Sequence, residues 1–294
     1  MRAFLCSLAL LLCSLCHAEA NRWGITDPEL VREYIAPETS LGEPAVDWRP
    51  VLGPIAEEIV APAKTPLEAA MLLNRHLWKR VGVIYSTRRD RPNQDPLHSM
   101  RIGLASCSGL SILLADACRA VGIPARLVGC QWRTKPGNHT WVEVWSEGAW
   151  FPLGAFEDCP PDRLWFLDDA AQATSDDPRY AIYATRATLN AQGTRFWGWG
   201  VPADDVTARY LRPAVRGPAE GFVRVYVAAE RQGVRVAEPF TCRGQQLTTP
   251  GPLQDLNDYT ALDLPEGAEF TLDFGSARFT HRATANAIFV EKLP

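Results

Sequence analysis

Two residues in this chain could perform nucleophilic chemistry together. Cys107 stands in Ala105-Ser106-Cys107-Ser108-Gly109-Leu110, and His139 in Gly137-Asn138-His139-Thr140-Trp141. A thiolate is a strong nucleophile, and an imidazole within hydrogen-bond reach can take the thiol proton. Leu110, Leu113, Leu114, Ala117, Cys118 and Val121 recur at helical spacing, so the cysteine occupies the first turn of an apolar helix, on its buried side. Gly122 then serves as the C′ residue and Pro124 as the stop. A helix start carries unpaired N–H groups and partial positive charge, and both favour thiolate. Taken alone, a cysteine on an apolar helix face is most often packing. The chemistry therefore depends on the elements around it.

After Pro124 the hydrophobic period changes to two. Residues 125–132 read as a strand with Val128, Cys130 and Trp132 on one face. Residues 135–138 form a turn, 139–145 a second strand, 146–148 a turn and 149–153 a returning strand. If Trp145 and Ala149 flank that turn, His139 lies opposite about Ala155. The histidine then neighbours residues 154–158, where an acid could orient it. Glu157 and Asp158 are the nearest carboxylates, and Glu143 shares the His139 face as a structural pairing partner. Trp141 and Trp145 read as core or cleft-wall aromatics, with substrate contact by Trp141 as a further expectation. His76 and His98 read as surface residues.

Upstream, Thr65 caps a helix with Pro66 at N1 and Glu68 at N3. Its expected apolar face is Leu67, Ala70, Met71, Leu77 and Trp78. Residues 28–34 and 54–60 read as short helices, and the polar run 86–100 as a connector or cleft wall. Residues 160–200 read as irregular and helical cover. From about Tyr210 short strands alternate with tight turns, which indicates a small β-sandwich.

With 294 residues and a net charge of −4, the chain has room for one large core or two domains, and no basic surplus suggests a nucleic-acid partner. Arg2, the apolar run Ala3–Cys16 and Ala18-Glu19-Ala20 read as a cleavable signal peptide, giving an exported chain, periplasmic or extracellular, with no integral membrane segment after cleavage. Cys107, Cys118, Cys130, Cys159 and Cys242 follow the leader. The odd number is consistent with a reactive thiol, and Cys130 and Cys159 are a possible pair. Among these five no Cys-x-x-Cys occurs, so no metal and no cofactor is expected. The expected domains are a signal peptide at 1–20, a helical extension at 21–64, a catalytic core at 65–204 and a β-sandwich-like domain at 205–294. The oligomeric state is left open.

Taken together, Ala105-Ser-Cys107-Ser-Gly109, Arg119-Ala-Val-Gly-Ile-Pro-Ala-Arg126, Gly137-Asn-His139-Thr-Trp-Val-Glu-Val144 and Gly148-Ala-Trp-Phe-Pro-Leu153 resemble the transglutaminase-like superfamily of papain-like thiol enzymes, over about residues 65–160. The resemblance implies an α+β fold, with a central helix packed on an antiparallel sheet. It also implies a Cys-His-acid triad that cleaves or transfers amides through a thioester. Cys107 matches the nucleophile and His139 the base. The family usually carries Leu-Asp-Pro on the returning strand, whereas here Gly154 follows Leu153. Resemblance to exported members favours Glu157 as the acid, with Asp158 as the alternative. The implied substrate is a peptide or protein amide. A non-catalytic module that binds protein or cell-wall ligands with the same fold is the other reading.

Overall fold

The computed structural model describes residues 21–211 and 218–294. The expected leader lies outside the described residues, as do residues 212–217. The fold is α+β: a helical core on an antiparallel sheet, followed by a β-sandwich. It divides into two compact units that alternate along the sequence. One comprises residues 21–129, 140–164 and 182–206; the other comprises 130–139, 165–181, 207–211 and 218–294.

In the first unit, a helical turn at Pro28–Leu30 runs into a wider turn at Val31–Ile35. Helix α1 spans Arg49–Val60, starting one turn earlier than the 54–60 reading because Pro50 occupies its first turn. Helix α2 spans Pro66–Val81 and begins as expected, with Thr65 Oγ1 accepting from Glu68 N at 3.2 Å. Its buried face is Ala69, Ala70, Leu73, Asn74, Leu77, Trp78 and Val81, so Leu67 and Met71 lie at the margin. The expected connector 86–100 departs from the reading at its end. Asp95 caps a short helix α3, Pro96–Ile102, accepting from His98 N at 2.8 Å. Strands β1 (Ile84–Tyr85) and β2 (Leu104–Ala105) pair in parallel beside it.

Helix α4, Cys107–Ala120, is buried along its whole length from Ser108 to Arg119, not along one stripe only. It packs against α1, α2 and α3. Ser111 Oγ donates to the Thr140 carbonyl at 3.0 Å, which ties the helix to the sheet. That sheet runs β5-β4-β3-β6-β7, from β3 (Ala125–Gln131), β4 (Asn138–Ser146), β5 (Ala149–Leu153), β6 (Tyr183–Thr185) and β7 (Ala203–Asp205).

The Arg119…Arg126 linker staples helix to sheet. Arg119 donates to Asp116 Oδ1 at 3.1 Å and to the carbonyls of Tyr34 and Ala125. Arg126 pairs with Glu143 at 2.7 Å and lies over the Trp150 ring. Removing one partner of a buried pair such as Arg126–Glu143 typically costs about 3–5 kcal/mol. The β4–β5 register differs by one residue from the sequence reading. Ser146 pairs with Ala149 and Trp145 with Trp150. Glu147 and Gly148 both have positive φ, which makes a two-residue hairpin loop and moves the flanking pair outward by one.

The second unit contains the sandwich. One sheet runs β12-β8-β15 with β9 on β8, and the other runs β11-β10-β13-β14. The strands are β8 (Phe222–Arg231), β9 (Val234–Arg235), β10 (Pro239–Cys242), β11 (Gln245–Thr248), β12 (Thr260–Pro265), β13 (Glu269–Asp273), β14 (Arg278–Arg282) and β15 (Ile288–Leu293). Alternate residues Val223, Val225, Val227 and Ala229 of β8 meet Phe240, Phe270, Leu272 and Phe274 in one core, the inward-facing pattern of a sandwich. β15 joins β8 in parallel. Among the described residues no helix is long and apolar enough to cross a membrane.

Candidate active site

Cys107 is the first residue of α4 and is half-buried. Ser106 precedes it in extended conformation, yet its hydroxyl does not cap the helix. It accepts instead from Arg89 Nε at 3.0 Å. The first-turn N–H groups beside Cys107 are therefore not consumed by the N-cap side chain. Gly109 lets the turn pack closely, since a Cβ there would stand 3.1 Å from that of Ala105. Burial disfavours the thiolate at the other described cysteines. Burial pushes Cys118 up to about 12 and Cys159 to about 11, and it raises Cys130 and Cys242 as well. Cys130 and Cys159 are both free.

The strand carrying His139 is seated on α4 by the residue that follows the histidine. Thr140 Oγ1 lies 3.4 Å from Ser108 Oγ, and the Thr140 carbonyl takes the Ser111 hydroxyl. Each side of this contact is one residue from a predicted catalytic position. Trp141, next along β4, is fully buried in the core. Glu143 is buried with Arg126, the structural pairing expected of it.

The returning strand ends at Leu153 and turns back over itself. Glu157 N donates to the Gly154 carbonyl at 3.0 Å, and Phe156 takes a positive φ. Buried Asn74 of α2 clamps this turn. Its Nδ2 donates to the Gly154 and Glu157 carbonyls at 2.8 and 2.6 Å, and its Oδ1 accepts from Phe156 N at 2.9 Å. A Cβ at Gly154 would collide with the Glu157 carboxylate. The Glu157 carboxylate thus fills the space that a side chain at 154 would take. Asp158 instead pairs with Arg75 at 2.9 Å on the surface.

Within the second unit His139 is 3% exposed. Trp132, Trp165 and Phe166 surround its ring, the last two at 4.8 Å between centroids. Asp255 Oδ2 lies 3.4 Å from His139 Nδ1. Sequence reasoning missed this carboxylate. Asp255 belongs to the segment between β11 and β12, and only the Asp-x-Asn turn signature marks it locally. Its Oδ1 accepts from Asn257 N at 2.8 Å and from Asn257 Nδ2 at 3.0 Å. Burial alone would raise the Asp255 pKa, but His139 and the Asn257 bonds outweigh it and hold the group below its ordinary value. Lys135 Nζ donates to Asp169 at 2.7 Å and to the Asn257 carbonyl at 3.1 Å, amid the rings of Trp132, Trp165, Tyr226 and Tyr259.

Residues 54–155 match the model of the transglutaminase-like superfamily. Several solved structures are similar to the chain, among them the following three. A putative cysteine protease from Cytophaga hutchinsonii is 18% identical over 53% of this chain and 57% of that one, with a TM-score of 0.35. The periplasmic domain of TgpA from Pseudomonas aeruginosa, solved with ethylmercury, is 20% identical over 42% and 49%, with a TM-score of 0.29. Red sea bream transglutaminase is 11% identical over 89% and 64%, with a TM-score of 0.41. The chain thus spans between 49% and 64% of these structures' own lengths. No curated protein matches it.

Proposed function

We propose that this chain is an exported, cysteine-dependent amide hydrolase or transamidase that acts on peptides or proteins, with Cys107 as nucleophile, His139 as base and Glu157 as the acid that orients the histidine. The observation that carries the reading is the seating of Thr140 on Ser108 and Ser111, which supports bringing the strand position of the base to the helix position of the nucleophile. The Glu157 carboxylate in the space above Gly154 supports the third assignment. It supplies a carboxylate where the superfamily's usual aspartate is missing from the sequence.

The chemistry follows from these roles. His139 takes the Cys107 proton, and the thiolate attacks the amide carbonyl. The oxyanion is received by the uncapped N–H groups at the start of α4. The imidazolium gives its proton to the departing amine as the C–N bond breaks, leaving a thioester. Water or an amine, deprotonated by His139, then attacks the thioester and the thiol is regenerated. Water is the default acceptor in an extracytoplasmic site, so hydrolysis is the favoured outcome. Export rests on the pattern of residues 1–20.

Iodoacetamide labelling of Cys107 as a function of pH tests the assignment, with the labelled peptide identified by mass. Labelling is expected to persist well below the ordinary thiol pKa of about 8.5 and to fall at least about tenfold near pH 6 in His139→Ala. Labelling that follows an ordinary thiol and ignores His139 would overturn the enzyme assignment in favour of a binding module.

A further inference from the structure

A carboxylate faces His139 from a part of the chain outside every motif that marks the thiol-enzyme core. Asp255 stands 116 residues beyond His139, yet its Oδ2 lies 3.4 Å from the imidazole. This is an anchored arrangement. Oδ1 is taken by two donors from Asn257, which leaves Oδ2 for the ring. Asn257 Nδ2 also donates to the Asn138 carbonyl at 2.8 Å, gripping the residue just before His139. Arg235 holds the same segment by donating to the carbonyls of Asp255 and Asp258. Carboxylate, grip and imidazole are thus fixed as one assembly.

We infer that Asp255 is a positioning residue for His139: its Oδ2 faces Nδ1 and stabilises the imidazolium by charge. At 3.4 Å the contact is long for a charge-assisted hydrogen bond, which runs about 2.7–2.9 Å. It is short for a Coulombic one, and inside a buried aromatic enclosure such an interaction is strong. The consequence is an imidazole that keeps its proton to higher pH, sustaining the thiolate–imidazolium pair and the acid needed by the leaving amine. The other charged groups of this unit facing the assembly are Asp258, which burial pushes up to about 6, with Lys135, Arg235 and Asp169. They are common to the wild type and the variants below, so a difference between titrations isolates Asp255.

The inference rests on His139 being the base, and the test separates the two claims. The His139 ring signal is titrated by NMR in the full chain, assigned by its loss in His139→Ala. Asp255→Asn is expected to lower the midpoint by about one pH unit or more, and Asp255→Glu to recover most of that shift. Near pH 6, iodoacetamide labelling of Cys107 should slow in Asp255→Asn. Asn257→Ala leaves the carboxylate charged but unanchored and should produce a smaller shift in the same direction; it carries the test if Asp255→Asn does not fold. An unchanged midpoint, or faster labelling in Asp255→Asn, would overturn the role of Asp255. Labelling that responds to His139→Ala but not to Asp255→Asn would remove Asp255 and leave the base assignment standing. Indifference to both would remove the base assignment.

Discussion

At Gly154 the constraint is space and not backbone conformation, since the Glu157 carboxylate fills the volume a Cβ would need. Gly154→Ala should displace that carboxylate and slow Cys107 labelling near pH 6 as much as Glu157→Gln does. A relocation experiment is more discriminating. Gly154→Asp combined with Glu157→Ala moves the acid back to the strand while emptying the space it needs, and should recover labelling that either single change loses. Failure of the double variant to exceed the singles would show that the Glu157 carboxylate serves the turn alone. Cys107 and His139 could be chosen as candidates from the sequence because each is marked locally, by the start of an apolar helix and by the start of an alternating strand. Asp255 could not, because a turn signature such as Asp-x-Asn says nothing about which distant residue its free oxygen faces.

Among the elements, α4 combines an apolar surround with a carboxyl at its centre. Burial pushes Asp116 up to about 8 despite the pull of Arg119 and Arg49, with Glu43 adding to the rise. Its folded pKa therefore exceeds its unfolded value of 3.8. Between those two values the folded state binds more protons than the unfolded one, so stability falls as pH rises through this window. The slope approaches about 1.4 kcal/mol per pH unit. Asp116→Asn should flatten it, as read from urea unfolding at about pH 5 and about pH 7.5. An equal slope in variant and wild type would mean that Arg119 keeps the carboxylate charged throughout. The limits of α4 and the cap of α2 were readable because their signals are local: Gly122, Pro124, Thr65 and Pro66. The β4–β5 register needed the backbone, since Ser-Glu-Gly admits more than one turn and only the positive φ of Glu147 together with Gly148 selects the two-residue loop. Helix α3 had a readable signal in Asp95-Pro96, but the surrounding polar run obscured it.

Across the molecule, the two units alternate along the chain, and the alternation falls within β4: His139 belongs to one unit and Thr140 to the other. Composition showed that strands dominate after about residue 210. It could not show that residues 130–139 and 165–181 group with them, because their partners Tyr226, Asp255, Asn257 and Tyr259 are distant in sequence. A chain stopped after Val206 would keep every motif that resembles the transglutaminase-like superfamily. It would leave Lys135 without its Asn257 carbonyl, Asn138 without the Asn257 amide and His139 without Asp255. If the sandwich is only an appendage, such a chain should label Cys107 like the full protein. If the sandwich completes the support of the base, the shortened chain should fold its helices, seen by far-UV circular dichroism, and yet label Cys107 as an ordinary thiol with a midpoint near about 8.5. The grip of Asn257 and Asp255 on Asn138 and His139 argues for the second result, because an imidazole released from both can swing among rotamers and hold neither its orientation nor its proton.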